Sequence, residues 1–298
     1  MRKLKSEKIY SILAIAILLY LLMGCQDKKE ANIKPFISVE VKLNQRKIPI
    51  NSPVEMSFCW KVVEKSKRLD KDYKILVHFL DKNGEMFFND DHVSPINSNL
   101  WNANKPVEYE RTVFLSNVSM LGKGKIKVGL YEPSGEMKRH PLIGKDEGGD
   151  RAYTVADIEI IGEELDKEPI FKEGWYEPEF TTNGRVVEWT WTMKEAEVAF
   201  LNPGRDAVLY LYAHSPTLEL GVEQNIIIEL NGKEIHSFTI GSSQDFLKKI
   251  KIEQSLWGEK KWADVKIIAD KTFVPSTDGL HGDTRELGIK VYNFYLYY

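Results

Sequence analysis

Cysteine is scarce in this sequence: there are two in 298 residues, at positions 25 and 59, and no CxxC pair. That excludes a disulfide framework, so stability has to come from burial. A basic surplus is missing as well. Lys and Arg number 41 against 44 Asp and Glu, with no polybasic run after the N-terminal segment, and this argues against a nucleic-acid partner. Long hydrophobic runs are absent except for one, Ile9 to Met23, of about fifteen residues. A helix needs roughly 20 apolar residues to cross the hydrocarbon core, so this run has the length of a signal-peptide core. The common catalytic signatures are also lacking: there is no GxSxG elbow, HExxH, P-loop or dinucleotide fingerprint. No catalytic residue, cofactor or metal ligand is therefore assigned, and the chain reads as a non-enzyme. Internal repeats, low-complexity tracts and convincing amphipathic helices are missing too.

The N-terminus carries Arg2, Lys3, Lys5 and Lys8 ahead of the apolar run, and the run ends in Leu22-Met23-Gly24-Cys25. These four residues resemble the lipobox of bacterial lipoprotein precursors. The resemblance implies that residues 1–24 are a removed signal peptide and that Cys25 becomes an acylated first residue. The implied partner is a membrane, reached through the lipid anchor, on the extracytoplasmic side of the cell membrane or outer membrane. Two or three acyl chains on one residue hold firmly where one would not. Cleavage takes away four basic residues and one acidic, leaving 37 against 43, a net charge near −6. Only Cys59 would then remain free. The polar stretch QDKKEANIK reads as part of a flexible tether over 25–35.

From Phe36 the pattern has period two. Val54, Met56, Phe58, Trp60 and Val62 alternate with polar residues and so share one strand face, with Cys59 on the other. The stretch YKILVHFLD is expected to be buried on both faces. It is followed by Asp81-Lys82-Asn83-Gly84, a turn returning the chain as EMFFND. DKNGE also resembles the start of a calcium loop, but the later ligands and closing glutamate are missing. Further strands are expected near 107–115, 124–132 and 153–161. Together these give an immunoglobulin-like β-sandwich over 36–161.

The charged segment GEELDKEP, 162–169, ends in proline, and 162–170 reads as a linker. Beyond it, strands resume over 171–298, with a type I′ hairpin at Asn231-Gly232 and a final segment, LGIKVYNFYLYY, apolar on both faces and therefore placed inside a sheet. This is the pattern of a jelly-roll sandwich. The fold class is all-β: two β-sandwich domains after a signal peptide and a short tether.

The motifs VHFLDKNGE, VGLYEPSGE and GGDR, with Trp101, resemble a β-sandwich module of bacterial envelope proteins that is often appended to cell-envelope glycosyltransferases. GWYEPE, EWTW and DTRELGI are similar to the jelly-roll module that accompanies it. The stretch ahead of these modules holds one short apolar run and not a multi-spanning region, so the resemblance implies no catalysis. It does imply envelope glycan as the ligand class.

Candidate ligand-binding residues follow from sugar chemistry, which needs aromatic faces for C–H stacking and fixed polar groups for hydroxyls. Trp175 and Tyr176 lie in a turn-like segment beside Pro178. Asp278, His281, Asp283, Arg285 and Glu286 crowd a glycine-containing loop, where Arg285 and Asp283 could equally pair to fix the loop. Trp189 and Trp191 share a strand face and read as core more readily than as a platform. GSSQD at 241–245 has serines without the glycine flanks of a nucleophile turn, and reads as a hairpin loop. Two further readings stay open: a surface-polysaccharide-processing enzyme with carboxylates on a sandwich face, and a structural partner in an envelope protein complex.

Overall fold

The computed structural model describes residues 33–115, 121–162, 168–181, 186–275 and 282–298. The apolar run, Cys25, Asp278 and His281 lie outside the described residues. Nine strands make the N-terminal half: β1 (Ile37–Leu43), β2 (Lys47–Pro49), β3 (Pro53–Val62), β4 (Lys74–Asp81), β5 (Met86–Asn89), β6 (Val107–Phe114), β7 (Gly122–Tyr131), β8 (Arg139–His140) and β9 (Tyr153–Ile161). They form two sheets, ordered β1-β3-β6 and β2-β9-β7-β4-β5, with β8 paired to β7. All pairs are antiparallel except β2 with β9.

The alternation along β3 sets this arrangement. Val54, Met56, Phe58, Trp60 and Val62 are all buried, while Cys59 is half-exposed on the opposite face. They join Ile75, Val77, Phe79, Ile126 and Val128 from the second sheet in one core. Along β4, burial on the second face extends to Leu76 but not to His78 or Leu80. His78 turns there toward Asp91, with Nε2 3.5 Å from Oδ1, so a polar contact replaces the expected burial. The turn after β4 is closed by the Asp81 carboxylate, which accepts the backbone N–H groups of Asn83 and Glu85 at 2.8 and 2.9 Å. Asp81 thus caps its own turn, as the turn reading of DKNGE requires. Trp101 is a residue of the first core. It is buried against Trp60, with its indole N–H donated to the Ile96 carbonyl at 2.9 Å.

The C-terminal half adds β10 (Ile170–Phe171), β11 (Glu179–Thr181), β12 (Val187–Trp191), β13 (Glu195–Leu201), β14 (Ala207–His214), a short helix α1 (Thr217–Leu220), β15 (Gln224–Leu230), β16 (Lys233–Ile240), β17 (Asp245–Ile252), β18 (Trp262–Ala269) and β19 (Lys290–Tyr297). Its sheets are ordered β10-β13-β18-β15-β16 and β11-β12-β19-β14-β17. Asn231 and Gly232 both take positive φ, 52° and 79°, and join β15 to β16 as a tight hairpin. The final strand β19 is central, between β12 and β14.

Its inner residues Val291, Phe294 and Leu296 enter the second core with Leu209, Leu211 and Ala213. A bulge displaces strict alternation. Tyr212 is opposite Asn293 and Ala213 is opposite Val291, so Tyr292 is an extra residue on β19. Bulges re-aim side chains, and this one leaves Tyr292 and Asn293 both half-buried on the outer face.

Residues Phe36–Tyr298 form one compact body. Phe114 and Tyr210 are 7% and 2% exposed, yet belong to neither core. They meet edge to face at 6.2 Å where the two sandwiches join. Beside them the Glu55 carboxylate accepts the Tyr210 hydroxyl at 2.9 Å and pairs with Lys249. Among the described residues no helix is long and apolar enough to cross a membrane.

Candidate functional site

The outer face of the sheet β12-β19-β14-β17 meets β6 of the first sandwich across a cleft of about 1790 Å³. Three tyrosines, Tyr212, Tyr292 and Tyr295, line it, and the strand pattern places them. β14 reads AVLYLYAH, so Leu209, Leu211 and Ala213 go inward, and Tyr210, Tyr212 and His214 go outward. The bulge in β19 sets Tyr292 beside Tyr212, with ring centroids 5.0 Å apart and planes 35° apart. From the other sandwich Phe114 stacks on Tyr212 at 6.2 Å, nearly parallel.

Asp245, at the start of β17, is the polar hub. Its Oδ1 accepts the Tyr292 hydroxyl at 3.2 Å and lies 3.0 Å from His214 Nδ1. Its Oδ2 accepts the Tyr212 hydroxyl at 3.2 Å. Burial, and then the Asp245 charge, push the Tyr292 hydroxyl well above the usual tyrosine range, so it stays a donor. Facing the hub from β6, Arg111 forks onto Asp90.

Lys290 is the unusual group. Its ammonium lies 3.8 Å from the Trp189 ring centroid and 5.3 Å from that of Tyr292, a cation–π arrangement. Burial holds it below the usual lysine range, against the raising pull of Asp245 and Glu179. Neither carboxylate bonds it. Asp245 is committed to Tyr212, Tyr292 and His214, and Glu179 accepts Trp189 Nε1 at 3.2 Å and Arg285 Nη2 at 2.6 Å.

Through Glu179 the cleft connects to the loop singled out from the sequence. Arg285 donates to both Asp283 oxygens, at 2.8 and 2.5 Å, and its guanidinium lies 5.0 Å from the Tyr176 ring centroid. Tyr176 donates to the Glu286 carbonyl at 3.0 Å. Asp283, Arg285, Glu286 and Tyr176 thus come together, and Asp283 and Arg285 do pair. Trp175 stands apart: its indole N–H goes to the Glu197 carbonyl at 2.9 Å, and its ring packs on Phe171 and on the second core. Trp189 and Trp191 are both half-buried and outside the core, contrary to the core reading.

The residues that the sequence reading passed over are Tyr212, His214, Asp245, Lys290, Tyr292 and Phe114. A usable signal was present: tyrosine or histidine at three successive alternate positions of AVLYLYAH, 210, 212 and 214, where a two-sided core strand would carry aliphatics. Among the described residues no cluster of three or more His, Cys, Asp or Glu could hold a metal ion.

Neither a protein-family model nor a curated protein sequence matches the chain. Among solved structures, it is similar to the carbohydrate-binding module CBM36 in complex with calcium and xylotriose, at 9% identity over 43% of this chain and 97% of that one, TM-score 0.25. It is similar to the CBM22-1–CBM22-2 tandem of Paenibacillus barcinonensis Xyn10C at 13% identity, covering 88% and 91% of the two chains, TM-score 0.25. A third is the M60 catalytic domain with two CBM51 domains from Clostridium perfringens ZmpB, at 13% identity, 90% and 32% coverage and TM-score 0.26. Likenesses with TM-scores this low establish no ligand and no activity for this chain.

Proposed function

We propose that the protein is a lipid-anchored lipoprotein of the bacterial cell envelope whose inter-sandwich cleft binds a glycan chain. The anchor rests on the basic residues, short apolar run and LMGC sequence of the N-terminus. The binding reading rests on one observation: aromatic rings and fixed polar groups alternate along a solvent-facing sheet, as Trp189, Lys290, Tyr292, Asp245 and Tyr212. Sugar C–H faces stack on such rings, and sugar hydroxyls bond to groups held in place beforehand. The loop carrying Asp283, Arg285 and Glu286, with Tyr176 beside it, would extend the same surface.

The test is a polysaccharide pull-down and glycan array with the purified protein and its Trp189→Ala variant. A bound glycan whose affinity falls at least about tenfold, 1.4 kcal/mol, in the variant supports the cleft. Silence across the whole array removes the glycan reading. The anchor has its own check in the mass of the native N-terminus: diacylated or triacylated Cys25 is expected, and an intact, unacylated Met1 refutes it.

A further inference from the structure

One polar constellation beside the cleft, reaching its lining at Asp245, is more than glycan binding requires. Ser243, in the exposed loop between β16 and β17, has Oγ 3.2 Å from Nε2 of His214, and Nδ1 of the same ring is 3.0 Å from Oδ1 of Asp245. An ionised carboxylate only accepts, so Nδ1 carries a proton, and in the neutral form of the ring the Nε2 lone pair faces the Ser243 hydroxyl. Asp245 is itself held by the hydroxyls of Tyr212 and Tyr292, each at 3.2 Å. A nucleophile bonded to a base, with the base oriented by a third group, is the arrangement by which acyl-transfer sites are recognised, whatever the sequence order.

Sheet register explains how the parts meet. His214 is opposite Asp245 on β17 and opposite Lys290 on β19. Directly opposed residues project from the same face, so Asp245, His214 and Lys290 form one row across three strands. Lys290 brings to that row an ammonium with no hydrogen bond or ion pair among the described residues, held between two rings.

We propose that this row is a serine esterase site that removes small acyl groups, such as acetyl, from the hydroxyls of a glycan in the cleft. Ser243 Oγ attacks the ester carbonyl carbon while its proton passes to His214 Nε2. The carbonyl π pair moves onto oxygen, where the Lys290 ammonium meets the developing charge. Collapse breaks the bond to the sugar oxygen, which leaves with the proton from His214, and Ser243 is acylated. Water then attacks the acyl carbon, giving a proton to His214 Nε2; collapse breaks the bond to Ser243 Oγ, which takes that proton back, releasing the carboxylic acid and regenerating the serine and the neutral histidine. The balance is ester plus water to acid plus alcohol. The inference goes beyond the binding reading and rests on it only for the glycan as acyl acceptor.

The full-length protein is treated with a fluorophosphonate probe and, separately, with p-nitrophenyl acetate. The probe is expected on Ser243 by peptide mapping, and p-nitrophenolate release is expected above the uncatalysed rate. Ser243→Ala and His214→Asn should each lose turnover by about 10³-fold or more. Lys290→Met should keep the label and lose about 10²-fold in kcat. Ser242→Ala, altering the adjacent exposed serine, should behave as wild type. Because Ser243 is exposed, its truncation leaves the cores untouched, and circular dichroism confirms the fold. No label on Ser243, or wild-type turnover equal to that of Ser243→Ala, overturns the proposal. Polysaccharide binding without turnover sinks the esterase alone, and turnover without polysaccharide binding sinks the glycan reading alone.

Discussion

Removing the hydroxyl that Tyr210 donates to Glu55 across the join, by Tyr210→Phe, is expected to lower stability by about 1 to 2 kcal/mol. Tyr210 is 2% exposed, outside both cores, and donates to Glu55 Oε1 at 2.9 Å. Hydrogen bonds to charged groups contribute about 1.5–3 kcal/mol net. Glu55 keeps 28% side-chain exposure and a second partner in Lys249, so water and the ammonium take up part of the loss. The effect therefore falls at or somewhat below the low end of that range. Phenylalanine preserves the ring and its edge contacts with Phe114 and Tyr297, and so leaves no cavity. Urea unfolding of wild type, Tyr210→Phe, Glu55→Gln and the double variant closes a cycle. A coupling near 1 kcal/mol is expected, with a Tm loss of about 2–4 °C for each kcal/mol. Single effects that add within about 0.3 kcal/mol would show that hydroxyl and carboxylate do not meet in solution, and the join as described would be wrong.

Two glycines with positive φ should differ sharply. Gly232→Ala, with φ 79° and open space around it, should lose about 1 kcal/mol by denaturant unfolding. Gly174→Ala should lose about 3 kcal/mol or more, because its new Cβ would stand 1.9 Å from the Glu195 carbonyl oxygen; equal losses would contradict the packing. Burial and then the hydrogen bond to Glu108 raise the Cys59 thiol. Cys59 should therefore react with iodoacetamide at pH 8 more slowly than free cysteine, and faster after Glu108→Gln. Arg285 depresses the Asp283 carboxyl, chiefly through their hydrogen bond. A depressed folded value means the stabilisation is present above the unfolded value, near pH 4, and is lost as pH falls through the folded one. The Arg285→Ala variant should lack that part of the acid-dependent loss in pH-dependent melting, and unchanged acid profiles would refute the pairing.

Much of the strand framework was legible because period-two burial is a local property. The set Val54 to Val62, the Asn231-Gly232 hairpin and the central position of the last strand each follow from side-chain chemistry within ten or so residues. The site was not legible in the same way. Asp245, His214 and Lys290 are far apart in sequence and meet only through register between β17, β14 and β19. The β19 bulge puts Tyr292 and Asn293 together on the outer face, which strict alternation does not allow, and no propensity announces where a bulge falls. The serines of GSSQD lack the glycine-flanked turn that advertises a nucleophile; their partner is supplied by a different strand. Trp175 was singled out for its turn-like neighbours, but the carbonyl that claims its indole N–H lies 22 residues away.

The middle place of β19 in its sheet fixes an order of assembly. β12 and β14 have no direct partner in each other, so this sheet of the second sandwich stays split down the centre until Tyr297 has emerged from the ribosome. The first core, drawn wholly from residues 36–160, has no such wait. Newly made chains should thus pass through a stage with one half closed and the other exposing an open seam, which is when a chaperone would have most to hold.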